Sequence, residues 1–193
     1  VTGPIAFIFL AATGHNLGAT EIDSTLLPRA RSLLTRLDRE GVEVMLPVDL
    51  SVRAPGEARR EVSPKAVAES AMVDAVGAET LHRIAQRVRQ AETALVWGEP
   101  LPAVAPGKRR ERSPWSSIEE ILAAVAGASA YGIVLGQAAD VALGDGALMP
   151  RLGHVARGGA TAMALLTGAK LPGIEVLKTA APSNKPRTEE SRD

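Results

Sequence analysis

The sequence predicts an α/β fold, a doubly wound parallel sheet with helices on both faces in three αβα layers. Amphipathic helical patterns alternate with short apolar runs, the rhythm of a parallel sheet wrapped by helices. The apolar runs stop at glycine or proline, which marks strand ends. The chain is 46% hydrophobic and only 3% aromatic, a balance met by Ala, Val and Leu, as close packing of helices over a buried sheet requires. At 193 residues it suits one such domain. Residues 1–180 are read as that domain and 181–193, polar and unpatterned, as a flexible tail.

The run Ile5 to Ala12 reads as a short buried helix, too short to span a bilayer. A turn over Gly14 to Gly18 leads to an N-cap at Asp23 or Ser24. Leu26, Leu27, Ala30, Leu33, Leu34 and Leu37 then recur at helical spacing, with Pro28 in the first turn and Gly41 as the stop. Val42 to Leu46 reads as a strand opening onto Pro47-Val48-Asp49, and the charged stretch Ser51 to Pro64 as an exposed excursion. Leu81, Ile84, Ala85, Val88 and Ala91 form the next helical stripe, followed by a strand at Thr93 to Trp97 that ends at Gly98-Glu99-Pro100. Pro100 to Pro114 is loop. Ser116 or Ser117 is expected to cap a helix over Ile118 to Gly127, with Glu119 and Glu120 in its first turn. Ile133 to Leu135 is the next strand and Gly153 to Val155 the last, with Gly158 and Gly159 turning into a helix that stops at Gly168.

The 22 basic and 22 acidic residues cancel, so no global field draws in nucleic acid or an anionic membrane. Nucleic acid is open only through the run Lys108 to Arg112, for which a solvated loop is the competing reading. Cysteine is absent, which excludes disulfides and thiolate metal sites. His15, His82 and His154 have no metal-ligand spacing, so no metal site is expected. There is no basic region before the apolar opening and the chain starts at Val1, which reads as a processed or truncated start. The expected location is intracellular.

The most specific stretch is His154-Val155-Ala156-Arg157-Gly158-Gly159-Ala160, continuing to Leu165-Leu166, Gly168 and Leu171-Pro172-Gly173-Ile174. It resembles the C-terminal signature of phosphoglycerate kinases, roughly H-V-S-T-G-G-G-A followed by L-L, G and L-P-G-V. Ala6 to Leu10, Gly18 and Leu46-Pro47-Val48-Asp49 resemble that family's A-F/Y-T-F-L, G-x-S and L-P-x-D elements, and Trp97 to Pro100 stands at its W-N-G-P. The resemblance runs from about Val1 to Lys178. It implies the Rossmann-like, nucleotide-binding domain of the family, with a site for ATP or ADP and magnesium.

Several matching positions depart from the family pattern. Gly98 and Glu99 replace the Asn-Gly of W-N-G-P, and Ala105 stands where the resemblance implies a ribose-contacting glutamate. At the family's G-G-G-D-S/T the chain has Leu135-Gly136-Gln137-Ala138-Ala139, so Ala138 takes the place of the metal-nucleotide aspartate. Asp140, two residues on, is expected on another helical face. Arg157 replaces threonine and Ala160 the third glycine of the last turn. The family's phosphate-directed lysines, in G-G-A-K-x-x-D-K, would precede Val1.

These departures predict a pseudoenzyme: a phosphoglycerate-kinase-like module with no catalytic residues and no cofactor, its ancestral Mg-ATP/ADP site lost, serving as a structural or interaction subunit among other proteins of an unidentified assembly. Gly136, Arg157, Gly158 and Gly159 are read as its vestigial phosphate site, and the turn they make has a purely structural explanation as an alternative. The alternative function is the ATP/ADP-binding half of a working phosphoglycerate kinase whose other lobe lies outside this chain.

Overall fold

The computed structural model describes residues 1–98 and 115–180. Glu99, Ala105, the run Lys108 to Arg112 and the tail 181–193 lie outside the described residues.

Helix α1 (Gly3–Ala12) begins with Pro4 in its first turn, where a missing N–H costs nothing. It is apolar nearly all round and so is packed from two sides. Ala6, Phe7 and Leu10 meet Leu50, Val52 and Val73 of a small sheet, while Phe9 and Ala12 meet Ala30 of α2 (Leu27–Arg39). A 3-10 turn at Ser24–Leu26 precedes α2, and the Asp23 carboxylate accepts the Thr25 N–H at 3.0 Å. Gly41, at φ +70, turns the chain after it.

Val42 to Leu46 forms no strand. Its apolar pattern fits one, but a ladder needs a paired strand, and among the described residues it has none; the Val1 amino group donates to the Met45 carbonyl at 2.8 Å without starting a ladder. The exposed excursion expected over Ser51 to Pro64 is also corrected. Strands β1 (Leu50–Arg53), β2 (Arg60–Val62) and β3 (Met72–Val76) form an antiparallel sheet in the order β2-β1-β3. Leu50 pairs with both Val62 and Val76, and Leu50 and Val52 are fully buried under α1. The charges that suggested an excursion sit on the outer side, where Arg53 and Arg59 both reach Asp74 at 3.1 Å.

The N-terminus of α3 (Ala78–Arg89) is closed by a residue far away in sequence. Asp49 accepts the N–H groups of Glu79 and Thr80 at 2.9 and 2.8 Å, satisfying two of the amides a helix start leaves unpaired. The buried Thr80 hydroxyl donates to the same carboxylate and accepts the Val48 N–H at 3.0 Å. Gly77 is required beside it, since a Cβ there would lie 2.1 Å from the Asp49 carboxylate. Asp49→Ala is expected to cost about 2 kcal/mol, the loss of a cap plus an unsatisfied buried hydroxyl, and Asp49→Asn less than half of that. For a chain of this size the thermal midpoint should fall by roughly 4–8 °C, measured by circular dichroism melting.

The second sheet is parallel. Strands β4 (Thr93–Gly98), β5 (Tyr131–Gly136) and β6 (His154–Ala156) lie in the order β4-β5-β6, with Gly98 opposite Gly136 and Leu135 opposite Ala156. Helices flank it. Leu122 and Val125 of α4 (Trp115–Gly127) are wholly buried, and Leu122 packs with Val134, Ala138, Ala139 and Ala142. The last three belong to α5 (Ala138–Gly144), which follows β5 directly. Helix α4 starts at Trp115, so Ser116 and Ser117 lie inside its first turn and Glu119 and Glu120 beyond it. Helices α6 (Gly159–Leu166) and α7 (Pro172–Ala180) close the described chain, with Gly168 at φ +84 between them. The other face of this sheet leaves Leu95, Trp97 and Tyr131 45%, 45% and 54% exposed.

Candidate functional site

In an open parallel sheet the loops after the strands gather at the carboxyl edge, where ligands bind. Here the close pairing of β4, β5 and β6 brings Gly98, Gly136 and Arg157 to one edge. The Gln137 N–H donates to the Gly98 carbonyl at 3.1 Å, tying the first two loops together.

The glycines do different work. Gly136 has φ +71, and a Cβ there would lie 3.0 Å from the Gly98 oxygen and 3.3 Å from the Trp97 indole. At Gly159 a Cβ would lie 2.7 Å from the Gly136 Cα and 2.9 Å from Trp97 Nε1. These two positions are glycine because backbone must pass against backbone. Gly158 is free of that constraint: the nearest atom to an added Cβ is that of Thr161, at 3.9 Å. Gly158 therefore opens on space at the start of α6, where the helix dipole favours an anion, while the Gly159 N–H itself donates to the Arg157 carbonyl at 2.8 Å.

The charged groups meet in front of this turn. Arg157 Nε donates to Asp140 Oδ1 at 2.7 Å, joining the loop after β6 to the first turn of α5. Both side chains are largely exposed, 71% and 57%. Asp140 thus lies at the same edge as the glycines, a position that helical spacing alone did not disclose. Ala138 behaves otherwise. It is 1% exposed and packs with Leu122, so this position belongs to the core directly behind the edge, where a Cβ on Gly98 would lie 3.6 Å from the Ala138 Cβ. Ala160 is exposed on α6.

The structure therefore brings Gly98, Gly136, Arg157, Gly158 and Gly159 to one edge, with Asp140 and Trp97 as neighbours the sequence reading did not assign to it. The signal for Trp97 was strand alternation, which sets it opposite in facing to Gly98. Arg157 and Asp140 are 17 residues apart and gave no local signal. Among the described residues, no group of three or more His, Asp or Glu side chains is gathered for a metal ion, and no helix is long and apolar enough to cross a membrane. A cleft of about 700 Å³ elsewhere, between Glu43 and Met45 and α3, is lined by side chains that pair with one another, Arg83 with Glu79 at 2.8 Å and Arg87 with Glu43.

The sequence model of the family "Phosphoglycerate kinase" matches residues 1–169. The phosphoglycerate kinase of Desulfosudis oleivorans is 29% identical over 186 residues, 95% of this chain and 46% of that protein. That of Desulforudis audaxviator is 31% identical over 182 residues, 92% of this chain and 44% of the relative. Among solved structures, phosphoglycerate kinase from Coxiella burnetii superposes with a TM-score of 0.75 at 27% identity, covering 92% of this chain and 45% of that one. The chain spans about half the length of the curated relatives it matches. Two expectations fall with these findings. The readings of the chain as a pseudoenzyme and as a protein with no cofactor are overturned by relatives that are named kinases, since a kinase takes its phosphoryl group from a nucleotide. Those readings rested on Ala138 together with Gly98, Ala105 and the phosphate-directed lysines of the family pattern; of these, Ala138 is a core position here.

Proposed function

The chain belongs to the phosphoglycerate kinase family, and from that premise we propose that it is the ATP/ADP-binding half of a phosphoglycerate kinase, completed by polypeptide outside this chain. The observation that carries the reading is the convergence of Gly98, Gly136 and Gly159 beside the exposed Arg157 at the carboxyl edge of β4, β5 and β6. Phosphoryl transfer asks for positioning and fixed positive charge around the moving group. Arg157 supplies a guanidinium suited to phosphate oxygens, and Gly158 leaves room for their approach.

Magnesium that travels with a nucleotide neutralises phosphate charge and is held largely by the phosphates with one or two carboxylates. Asp140 is the carboxylate beside Arg157 that fits that part. The phosphate-directed lysines and the phosphoglycerate side are assigned to the remainder of the kinase. The half-exposed Leu95, Trp97 and Tyr131 on one sheet face support such a remainder, because apolar side chains of a sheet are ordinarily packed. An intracellular location accords with dependence on ATP or ADP.

Calorimetric titration with ADP tests the proposal. Saturable binding is expected, and Arg157→Ala should weaken it by about tenfold or more, the worth of a hydrogen bond to a charged group. A thermal midpoint and heat signal that do not respond to millimolar ADP would overturn the reading.

A further inference from the structure

We propose that Asp140 is an exchangeable counter-ion for Arg157: its carboxylate holds the guanidinium while the site is empty, and an incoming nucleotide phosphate takes the guanidinium from it. The inference rests on the nucleotide reading above and adds a regulatory residue that the glycine-rich turn does not reveal.

Three features of the pair support exchange over a fixed structural link. First, it bridges the two loops that follow adjacent parallel strands, since Leu135 of β5 lies opposite Ala156 of β6. The guanidinium is therefore held at the ligand edge of the sheet and not against its core. Second, both partners are largely exposed, 71% and 57%, and ion pairs so open to water contribute little net free energy. The pair can be broken at small cost. Third, only Nε of Arg157 is engaged, at 2.7 Å from Asp140 Oδ1, and no other hydrogen bond of its guanidinium is found among the described residues. A phosphate offers several oxygens and can take two parallel N–H donors, a stronger arrangement than a single bond to carboxylate.

The two groups have opposite effects on an anion. Arg157 attracts phosphate, and Asp140 both occupies Arg157 and repels phosphate. Asp140 sits in the first turn of α5, within reach of the Arg157 guanidinium. For a nucleotide without magnesium, the pair makes affinity lower than Arg157 alone would give.

The experiment is a double-mutant cycle on the 193-residue chain, using ADP in EDTA so that no divalent cation takes part, with denaturant midpoints measured alongside to separate folding from binding. Asp140→Asn is expected to tighten ADP binding by about two- to fivefold, the release of one exposed ion pair. In the Arg157→Ala background the same change should bring little or no gain. An equal gain in both backgrounds would mean that Asp140 acts by charge repulsion alone and would overturn the exchange. Equal ADP affinity of Asp140→Asn and the unaltered chain would overturn it too, while leaving the nucleotide reading in place. Absence of ADP binding in every variant would remove the nucleotide reading and the exchange with it.

Discussion

Gly159→Ala is expected to destabilise the domain by about 1–3 kcal/mol, the range for overpacking a tight contact, and to displace the turn that carries Arg157. The added Cβ would stand 2.7 Å from the Gly136 Cα and 3.2 Å from its N. Those atoms are backbone and cannot swing aside, and Trp97 Nε1 at 2.9 Å closes the third direction. Alanine brings a helix-propensity gain of at most about 1 kcal/mol over glycine in a helix interior, and less at a first helical position, so the steric term wins. Gly158→Ala is the control. Its Cβ would meet nothing closer than 3.9 Å and its φ is −73°, so stability should change by no more than about 0.5 kcal/mol. Urea denaturation of the two variants separates them: similar midpoints would mean that the Gly136–Gly159 approach yields to an added methyl group.

Much of the fold was legible because its signals are local. The stripe from Leu26 to Leu37, stopped at Gly41, became α2, and the stripe from Leu81 became α3. The runs at Thr93, Ile133 and His154 became the parallel strands. The antiparallel sheet was not legible. Its strands are three to five residues long, and its charged residues Arg53, Arg59, Arg60 and Glu61 mask the buried Leu50 and Val52. Val42 to Leu46 failed in the opposite sense: a strand-like sequence is only a strand when a neighbour completes its ladder.

At the candidate site the glycines were readable as a pattern, but their reasons were not. The pattern could not tell Gly159, held by contact with Gly136, from Gly158, which faces open space. Nor could it pair Arg157 with Asp140, because that contact exists only once β5 and β6 lie side by side. The inference of lost catalysis had a related flaw. It took every departure at a strand-end loop as a departure at the ligand, whereas Ala138 packs beneath Leu122 and Asp140 stands at the edge. Which side of a short helix faces the crevice is settled by packing, not by position in a motif.

That packing gives the larger of the stability effects. Leu122→Ala is expected to cost about 3–5 kcal/mol, the upper part of the range for a buried leucine. Leu122 is fully buried among Val134, Ala138, Ala139 and Ala142. Four of those five positions end in side chains no longer than valine's, and three are alanines on α5. These short side chains cannot rotate far into a cavity, so filling it falls to the partly buried Ile118, Leu148 and Leu152 at the cluster's margin or to a shift of α5, which is pinned to the end of β5. The cavity should therefore stay largely open, which is what raises the cost. Leu122→Met, which nearly conserves volume, should cost less than about 1.5 kcal/mol. The urea midpoint should fall steeply for alanine and slightly for methionine at unchanged m. Because α5 also carries Asp140, any shift that does relieve the cavity moves the Arg157 counter-ion, so partial healing of the core should be visible as altered ADP affinity. A loss below about 1.5 kcal/mol in Leu122→Ala would show that α5 collapses freely onto the sheet and is not the rigid support that this account of the site requires.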